Sequence, residues 1–535
     1  MHEEKAIADA AVKPAGAHAI TYVNGVFHTM ENEHDAHRSM TVENGVILGF
    51  DDVPTGGKTV DLGGEHVFPA LIDAHLHLLD TVGLSGISHQ LCSVEGGLIE
   101  PHELAGVEKL IRDYAARDDV PIIACNNYIA SGIREGRLPN RRELDAWSAG
   151  KQVWVLSIDG HSSSCSSALL QALNLEEQAP DGILTGMVHD ANMGNLTGHI
   201  ASCITPAILG SGIADFSNLC ASYGIGCICA LDGTDDSQKD SLALMMARLA
   251  RRFQIDVREF PQYMDEKKLS RMLPYMAKKR VGGCMKWQLD GSVGSHTAAF
   301  SQPFKDGGQG ELYYSDEFLS DTIERFDKQG FLVTAHAIGD VAIDQLVGIY
   351  ETMQGRHRID HCEFPTDTAV EAICRLKPFV TVQPGYSWMD KRYMHGYECY
   401  LDDSVRTHQV PLRTLAEAGV PLCGSSDSPV QTVDPFLQMR GMREFYVEEE
   451  SLSAFQALST YTVNGGLMLG EKKGVLRPGF EASFFTIDCD LLTCAPAALE
   501  GLHAQNLYLH GKPYKPMKRG MGALAQLLRR RARKI

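Results

Sequence analysis

The sequence has no long apolar run, no excess of basic residues and no cysteines spaced as Cys-x-x-Cys. Its 49 Lys and Arg residues against 68 Asp and Glu residues give a net charge of -19, which argues against nucleic acid as a partner because phosphates would be repelled. No segment is apolar enough to span a membrane, and Met1–Lys5 lacks the basic and then apolar pattern of a secretory signal. We therefore expect a cytoplasmic protein with no membrane and no nucleic-acid partner.

The 14 cysteines are scattered and stand mostly in apolar stretches, which predicts buried free thiols rather than a disulfide framework. Cys227 and Cys229 could bind a metal ion, because residues i and i+2 of a strand point to the same side. No other Cys or His stands beside this pair, so the sequence favours buried thiols here as well.

At 535 residues the chain is too long for one ordinary core, so we expect two domains or one large barrel with additions. Both ends of the chain carry short apolar alternations separated by turn residues, and Asn24-Gly25 and Asn44-Gly45 are strong hairpin signals. We predict that residues 19–65 and 473–516 together form a small β-sandwich domain.

Over residues 66–472, short apolar runs alternate with longer helical stretches, as in parallel βα units. With the strand before His75 there are about eight such runs, which predicts an α/β fold of the (β/α)8 TIM-barrel type. The other candidate strands are Val153–Ile158, Gly226–Leu231, Cys284–Gln288, Phe331–Ala335, His357–Cys362, Phe379–Val382 and Val420–Gly424.

Two further segments do not fit a simple βα repeat. Residues 79–144 have helix-like periodicity and are too long for a βα loop, so we predict a helical insertion over the mouth of the barrel. Residues 517–535 are basic in an acidic protein, and we expect a solvated tail there. Contact with an anionic surface and a clamp between subunits are the alternatives.

His75 and His77 end the first barrel strand with one residue between them. Because alternate strand residues share a side, the two imidazoles would project together and could bind one metal ion. The alternative is a pair of partly buried histidines at a strand terminus.

Other candidate strands also carry polar residues at or near their carboxyl ends, where α/β barrels build their active sites. Lys286 lies inside a strand, His336 and His361 each end one, and Asp427 follows the last. Buried Lys and Asp side chains are costly unless they are paired or bound to metal. Together with His75 and His77, these residues predict a site at the barrel mouth.

The order His-x-His, Lys, His, His, Asp resembles the amidohydrolase superfamily, most closely its YtcJ-like branch, amidohydrolase family 3. The strings that carry the resemblance are Phe68–Leu78, Asp159–Ser162, Leu289–Ser295, Ala335–Asp340, Gly424–Pro429, Tyr461–Gly465 and Gly474–Gly479.

The resemblance implies that His75, His77 and Asp427 hold a buried metal ion, and that His336 and His361 hold a second. It also implies that Lys286 carries a carbamate, formed with carbon dioxide, which bridges the two ions. An unmodified lysine ammonium has no acceptor and cannot ligate, so the alternative is a charged Lys286 that opposes a second metal. Imidazole and carboxylate ligands suit zinc first, with iron or manganese as alternatives.

Several further residues are candidates for the substrate side of the site. By the resemblance His161 would face the substrate, although a core or capping role is equally open, and Gln288, Gln383 and Trp388 are candidate pocket walls. His296 stands where the family has arginine, which would alter recognition. Trp287 and Tyr386 are further wall candidates. A second departure is Ser166-Ser167, where the family usually has Asn-Ser.

These features favour metal-dependent hydrolysis of an amide-type C–N bond in a small non-peptide molecule, such as an N-substituted formamide or an N-acyl compound. A metal-activated hydroxide would attack, and Asp427 would shuttle the proton to the leaving nitrogen. Deamination or ring opening of a heterocycle at the same site is the alternative, and a catalytically silent scaffold is a remote one. We expect a homodimer, as in many relatives.

Overall fold

The computed structural model describes residues 18–51, 57–84, 87–95, 98–117, 122–233 and 240–533. The residues before His18 lie outside this part. In chain order the strands are β1 (Ile20–His28), β2 (Ala36–Glu43), β3 (Val46–Phe50), β4 (Lys58–Asp61), β5 (His66–Pro69), β6 (Leu71–Leu76), β7 (Ser88–Gln90), β8 (Ser93–Glu95), β9 (Leu98–Glu100), β10 (Ile123–Tyr128), β11 (Val153–Ser157), β12 (Ser162–Cys165), β13 (Ile183–Thr185), β14 (Ile225–Ala230), β15 (Asp256–Glu259), β16 (Arg280–Gln288), β17 (Leu332–Ala337), β18 (Arg358–His361), β19 (Phe379–Val382), β20 (Leu422–Gly424), β21 (Phe484–Ile487), β22 (Asn506–Leu509) and β23 (Lys512–Pro513).

The α-helices of the described residues follow the same order. They are α1 (Leu78–Leu84), α2 (Leu104–Ala115), α3 (Arg141–Trp147), α4 (Ser167–Leu173), α5 (Gly186–Ala201), α6 (Pro206–Ser222), α7 (Asp240–Ala250), α8 (Glu266–Met272), α9 (Asp316–Asp327), α10 (Asp340–Tyr350), α11 (Asp367–Leu376), α12 (Pro384–Met389), α13 (Gly396–Tyr400), α14 (Asp403–Arg406), α15 (Leu412–Glu417), α16 (Pro435–Arg443), α17 (Ala454–Tyr461), α18 (Val463–Leu469) and α19 (Met521–Arg529).

The two chain ends build one mixed sheet rather than the expected β-sandwich. Its order is β23-β22-β21-β5-β1-β2-β3, with β4 also paired to β1, and the pairs β1–β4 and β1–β5 are parallel. Asn44 and Gly45 form the turn between β2 and β3 with φ of 53° and 82°, as an Asn-Gly hairpin turn requires. Tyr22, Phe27 and Phe484 are buried in the apolar core of this sheet.

The barrel strands form two parallel sheets, β15-β14-β6 with three strands and β16-β17-β18-β19-β20 with five. Backbone hydrogen bonds join their edges on both sides: Gly282 N–H donates to the Pro261 carbonyl at 3.0 Å, and Asp427 N–H donates to the His75 carbonyl at 2.9 Å. The strands therefore have the arrangement of a (β/α)8 barrel, and their carboxyl ends converge at one mouth.

One predicted barrel strand is replaced by another. The run Val153–Ile158 supplies β11, which lies in a separate sheet with the order β13-β12-β11-β10-β7. The eighth barrel strand is β15 (Asp256–Glu259), which pairs in parallel with β14. Its sequence Asp-Val-Arg-Glu has no apolar run; Asp256 and Glu259 are nevertheless buried, and Arg258 Nη2 lies 2.7 Å from Glu471 Oε2.

The segment 79–144 contains strands as well as helices, which differs from the helical insertion predicted there. It holds β7, β8, β9 and β10 together with α2 and α3, and the sheet that it begins continues through β13. The result is an α/β layer beside the barrel mouth.

The basic C-terminal segment packs against the barrel as far as it is described, in place of the solvated tail expected. Helix α19 packs on α6. Beyond it, the Arg251 guanidinium donates to the Arg533 carbonyl at 2.7 Å, and the Arg533 guanidinium pairs with Asp256. In the described ranges no helix is both long and apolar enough to cross a membrane.

Candidate metal centre

Among the described residues, six side chains with metal-binding atoms meet at the mouth of the barrel, and each lies in a barrel strand or within three residues of its carboxyl end. All are buried or nearly so, which removes competing water from their ligand atoms. They are His75 in β6, His77 just after β6, Cys284 in β16, His336 in β17, His361 in β18 and Asp427 beyond β20.

The first subsite consists of His75, His77 and Asp427. Oδ1 of Asp427 lies 3.1 Å from Nε2 of His75 and 3.3 Å from Nε2 of His77. Neither contact is a hydrogen bond, and among the described residues this buried oxygen has no hydrogen-bond partner. Two ligands of one tetrahedral zinc ion at about 2.05 Å would be about 3.3 Å apart. The three atoms therefore fit a shared metal ion.

A second group of ligand atoms surrounds the Cys284 thiol. Its Sγ lies 3.6 Å from Nε2 of His75, 3.8 Å from Nδ1 of His336 and 3.9 Å from Nε2 of His361. His75, Cys284 and His361 together form a second set of three groups whose ligand atoms could hold one metal ion. Cys284 was not among the predicted site residues.

Lys286 is the residue predicted to bridge the two ions. Cys284, Met285 and Gln288 line the cavity above the histidines, and Lys286 is not in its lining. The cause is a bulge in β16: pairing with β17 passes directly from Gly283 to Gln288, and Met285 has a φ of 56°. A bulge of this kind breaks the alternation on which the lysine prediction depended.

The imidazole of His75 is oriented from behind by Asp360. Nδ1 of His75 lies 3.2 Å from Oδ2 of Asp360, which leaves Nε2 directed at the site. Asp360 accepts hydrogen bonds from Thr381 at 2.6 Å and Thr334 at 2.8 Å, and from Arg358 at 3.0 Å. A carboxylate behind a ligating histidine fixes the ring and its tautomer.

His336 and His361 are held in the same manner. Nε2 of His336 lies 3.1 Å from the Gly291 carbonyl, so its Nδ1 is the atom that faces Cys284. Nδ1 of His361 lies 3.0 Å from Oε1 of Gln383, which leaves its Nε2 toward the site. One ring nitrogen of each residue is thus occupied and the other is presented for coordination.

In this site, burial and the neighbouring charges shift the pKa values of the side chains in opposite directions. Burial alone would lower the pKa of His77, but the Asp427 carboxylate and the Cys284 sulfur raise it to about 10. Burial alone would raise the pKa of Asp427, but His75 holds it well below its ordinary value. A metal ion that binds here must displace protons from these histidines, so its affinity falls with falling pH.

His161 belongs to a polar network at the edge of the site. Its Nδ1 lies 3.1 Å from Nε2 of Gln288 and 3.7 Å from Oδ1 of Asp190. Asp190 also accepts hydrogen bonds from Gln288 at 2.7 Å and Tyr313 at 2.8 Å. Asp190 was missed by the sequence reasoning because it lies on helix α5, which the strand-end rule does not address.

Two predicted substrate residues lie elsewhere. His296 stacks on Phe304 with ring centroids 5.0 Å apart, and its Nδ1 lies 2.6 Å from Oδ2 of Asp306. Trp388 donates to Glu444 at 2.9 Å and lies between two arginine side chains. Neither lines the cavities at the ligand cluster.

The other residues predicted to line the substrate pocket lie in different places. Gln288 and His161 line the cavity at the ligand cluster, and Gln383 and Tyr386 line a small adjoining one. Trp287 is buried against Phe326 in the core.

The cavity over the ligand cluster adjoins a larger chamber of about 460 Å³ with a mostly apolar lining. Asp80, Thr197 and Met285 line both spaces, so they form the boundary between them. Leu524 and Leu528 of α19 contribute to the lining of the chamber.

Three comparisons place the chain among known proteins. The model of the amidohydrolase family matches residues 58–514. The chain is 24% identical to YtcJ of Bacillus subtilis over 91% of this chain and 98% of that protein, and 23% identical to the N-substituted formamide deformylase of Arthrobacter pascens over 91% and 97%. An uncharacterized metal-dependent hydrolase of Pyrococcus horikoshii superposes with a TM-score of 0.68 at 22% identity, over 90% of this chain and 99% of that one. The chain belongs to the amidohydrolase family.

Proposed function

We propose that this protein is a metal-dependent hydrolase that cleaves an amide-type C–N bond in a small non-peptide substrate, such as an N-substituted formamide or an N-acyl compound. The observation that carries the proposal is the convergence of Asp427 Oδ1 on Nε2 of both His75 and His77 at 3.1 and 3.3 Å, in a buried site. The similarity to a formamide deformylase supports the choice of bond.

The ligand set favours zinc, with iron or manganese as alternatives. His75, His77 and Asp427 would hold one ion, and His336 and His361 would contribute to a second. A bound metal ion of this kind acts as a Lewis acid and lowers the pKa of water to about 7.

Side chains of the protein carry out the proton transfer and orient the substrate. Asp427 accepts the proton of the attacking water and passes it to the leaving nitrogen, as a general base that becomes a general acid. Burial alone would lower the pKa of His161, but the Asp190 carboxylate raises it, so His161 is held as a hydrogen-bond donor toward the substrate oxygen. Nε2 of Gln288 lies 3.1 Å from the same ring nitrogen of His161, Nδ1, that faces Asp190.

The chamber next to the site suits an apolar substituent. Its lining includes Leu79, Ile204, Leu209 and Leu242, and its volume of about 460 Å³ is within the range of small-molecule sites. An N-alkyl or N-acyl chain would extend past Thr197 into this space, while the scissile bond stays at the ligand cluster.

The test is an activity screen of the zinc-loaded protein over N-substituted formamides, N-acyl amines, lactams and aminated heterocycles. We expect release of formate or another acid with the amine, and no release by an Asp427→Asn variant. Release of ammonia from heterocycles alone would replace amide hydrolysis with the deaminase alternative. Absence of any turnover in the metal-loaded, folded protein would overturn the proposal.

A further inference from the structure

We infer that the Cys284 thiolate is itself a metal ligand, shared between the two histidine pairs, in the position that the family resemblance gives to a modified lysine. This inference rests on the proposed metal-dependent function. It assigns a ligand of a different chemical class, a soft sulfur, to the centre.

The distances around Cys284 are those of a coordination site. A zinc ion with sulfur at about 2.3 Å and nitrogen at about 2.05 Å in tetrahedral geometry separates the two ligand atoms by about 3.6 Å. Sγ of Cys284 lies 3.6 Å from Nε2 of His75, 3.8 Å from Nδ1 of His336 and 3.9 Å from Nε2 of His361. These three nitrogens come from three different strands, and each is the ring nitrogen that its neighbours leave available.

The backbone of β16 is shaped to deliver the thiol. Gly282 and Gly283 have φ of 108° and 134°, where an L side chain is strained, and a Cβ on Gly282 would lie 1.9 Å from the Thr334 carbonyl oxygen. The two glycines therefore bring β16 close to β17, the strand of His336. Cys284 N–H then donates to Oε1 of Gln262 at 2.8 Å, which fixes the backbone at the thiol.

The surroundings distinguish Cys284 from other buried cysteines. Cys125 lies in an apolar core among residues such as Ile111 and Val155, and Cys423 lies in another. Packing alone accounts for thiols of that kind. Cys284 instead faces the imidazoles of His75, His336 and His361, and apolar packing gives no reason for three of them around one sulfur.

Lys286 is the competing candidate for the shared position. It lies two residues further along β16, beyond Met285, and its carbonyl accepts a hydrogen bond from Tyr314 at 2.9 Å. With Cys284 among the imidazoles, its sulfur occupies the space that a carbamate oxygen would need. The two assignments therefore exclude one another and predict different spectra.

The experiment is visible and near-ultraviolet absorption of the protein loaded with Co²⁺, compared with Cys284→Ser, Lys286→Met and the buried control Cys125→Ser. We expect a thiolate-to-cobalt charge-transfer band in the wild type, in Lys286→Met and in Cys125→Ser, and its loss in Cys284→Ser with cobalt d–d absorption retained. A wild type with d–d absorption but no charge-transfer band would overturn the inference and leave the proposed function standing. A wild type without any d–d absorption would overturn both.

A second measurement needs no variant and so does not depend on the folding of Cys284→Ser. X-ray absorption at the zinc edge of the zinc-loaded wild type should show a sulfur scatterer at about 2.3 Å beside the nitrogen and oxygen shell. A spectrum fitted by nitrogen and oxygen alone would remove Cys284 from the ligand set, whatever the activity of the protein.

Discussion

Asp427 lies against His75 at two points across the edge where the barrel closes. Its backbone N–H donates to the His75 carbonyl at 2.9 Å, and its Oδ1 lies 3.1 Å from Nε2 of His75. Asp427 has a φ of 55°, which is uncommon outside glycine, and its side chain faces His75 of β6. The closure of the barrel therefore sets the geometry between the proposed proton shuttle and a proposed metal ligand.

Replacement of Asp427 by Asn should abolish turnover with little change in folding, because the amide keeps the shape of the side chain but cannot accept and return the proton. We expect kcat to fall by about 100-fold or more. Asp434→Asn is the matched control, since Asp434 caps helix α16 by accepting from Phe436 and Leu437 N–H, and asparagine caps equally well. Near-normal kcat in Asp427→Asn would remove this residue as the shuttle.

Asp360→Asn tests the support behind His75. The change weakens the hold on the Nδ1 side of His75 and leaves the buried Arg358 charge without its carboxylate. We expect metal affinity to fall by about 10- to 100-fold and stability to fall by about 3–5 kcal/mol. Chelator competition and urea unfolding measure the two effects. Asp367→Asn, at an exposed carboxylate, is the control, and equal metal affinity in both variants would contradict the assignment.

The pH dependence of stability should report on Glu471, which links the end of α18 to β15 and β16. Burial alone would raise the pKa of Glu471, but Arg258, Lys473 and Arg280 lower it to about 2. The folded-state pKa is depressed, so its contribution is present above the ordinary glutamate value and is lost as the pH falls toward 2. In chelator-treated protein, the free energy of unfolding measured in urea should therefore change less with pH in Glu471→Gln than in the wild type, between about pH 4.5 and 2. Glu417→Gln is the control; parallel curves for wild type and Glu471→Gln would contradict this.

Thr197→Phe should weaken the binding of large substrates more than that of small ones, because Thr197 lies on the boundary between the ligand cluster and the apolar chamber. Loss of burial for two methylenes costs about 1.6 kcal/mol, so KM for an N-hexyl formamide should rise by about tenfold or more, while KM for N-methylformamide changes little. Ala191→Phe, at an exposed position of the same helix, is the control. An equal rise for both substrates would remove the chamber from substrate binding.

The candidate metal ligands at strand ends could be predicted from the sequence. Alternate residues of a strand share a side, and α/β barrels build their sites at the carboxyl ends of strands; both rules apply to short local patterns. His75, His77, His336, His361 and Asp427 all come together as these rules predict. The rules failed where a strand is irregular. After the bulge that follows Gly283 in β16, the Cys284 thiol, which the rules did not select, lies 3.6 Å from Nε2 of His75.

The remaining differences between prediction and structure have other causes. Strand β15 reads Asp-Val-Arg-Glu, and its burial depends on ion pairs from distant parts of the chain rather than on an apolar run. Asn24-Gly25 does not turn a hairpin but forms a bulge within the continuous strand β1, where Asn24 has a φ of 56°. His296 and Trp388 lie in aromatic and charged contacts away from the site, which no strand-end pattern could reveal.

The central claim is most directly tested by the metal content of the folded protein, purified without added chelator and measured by plasma mass spectrometry alongside hydrolytic activity. The account predicts about one to two transition-metal ions per chain, lost together with activity on chelation and regained together with it on zinc addition. A folded chain that hydrolyses its substrate at full rate without bound metal would contradict it.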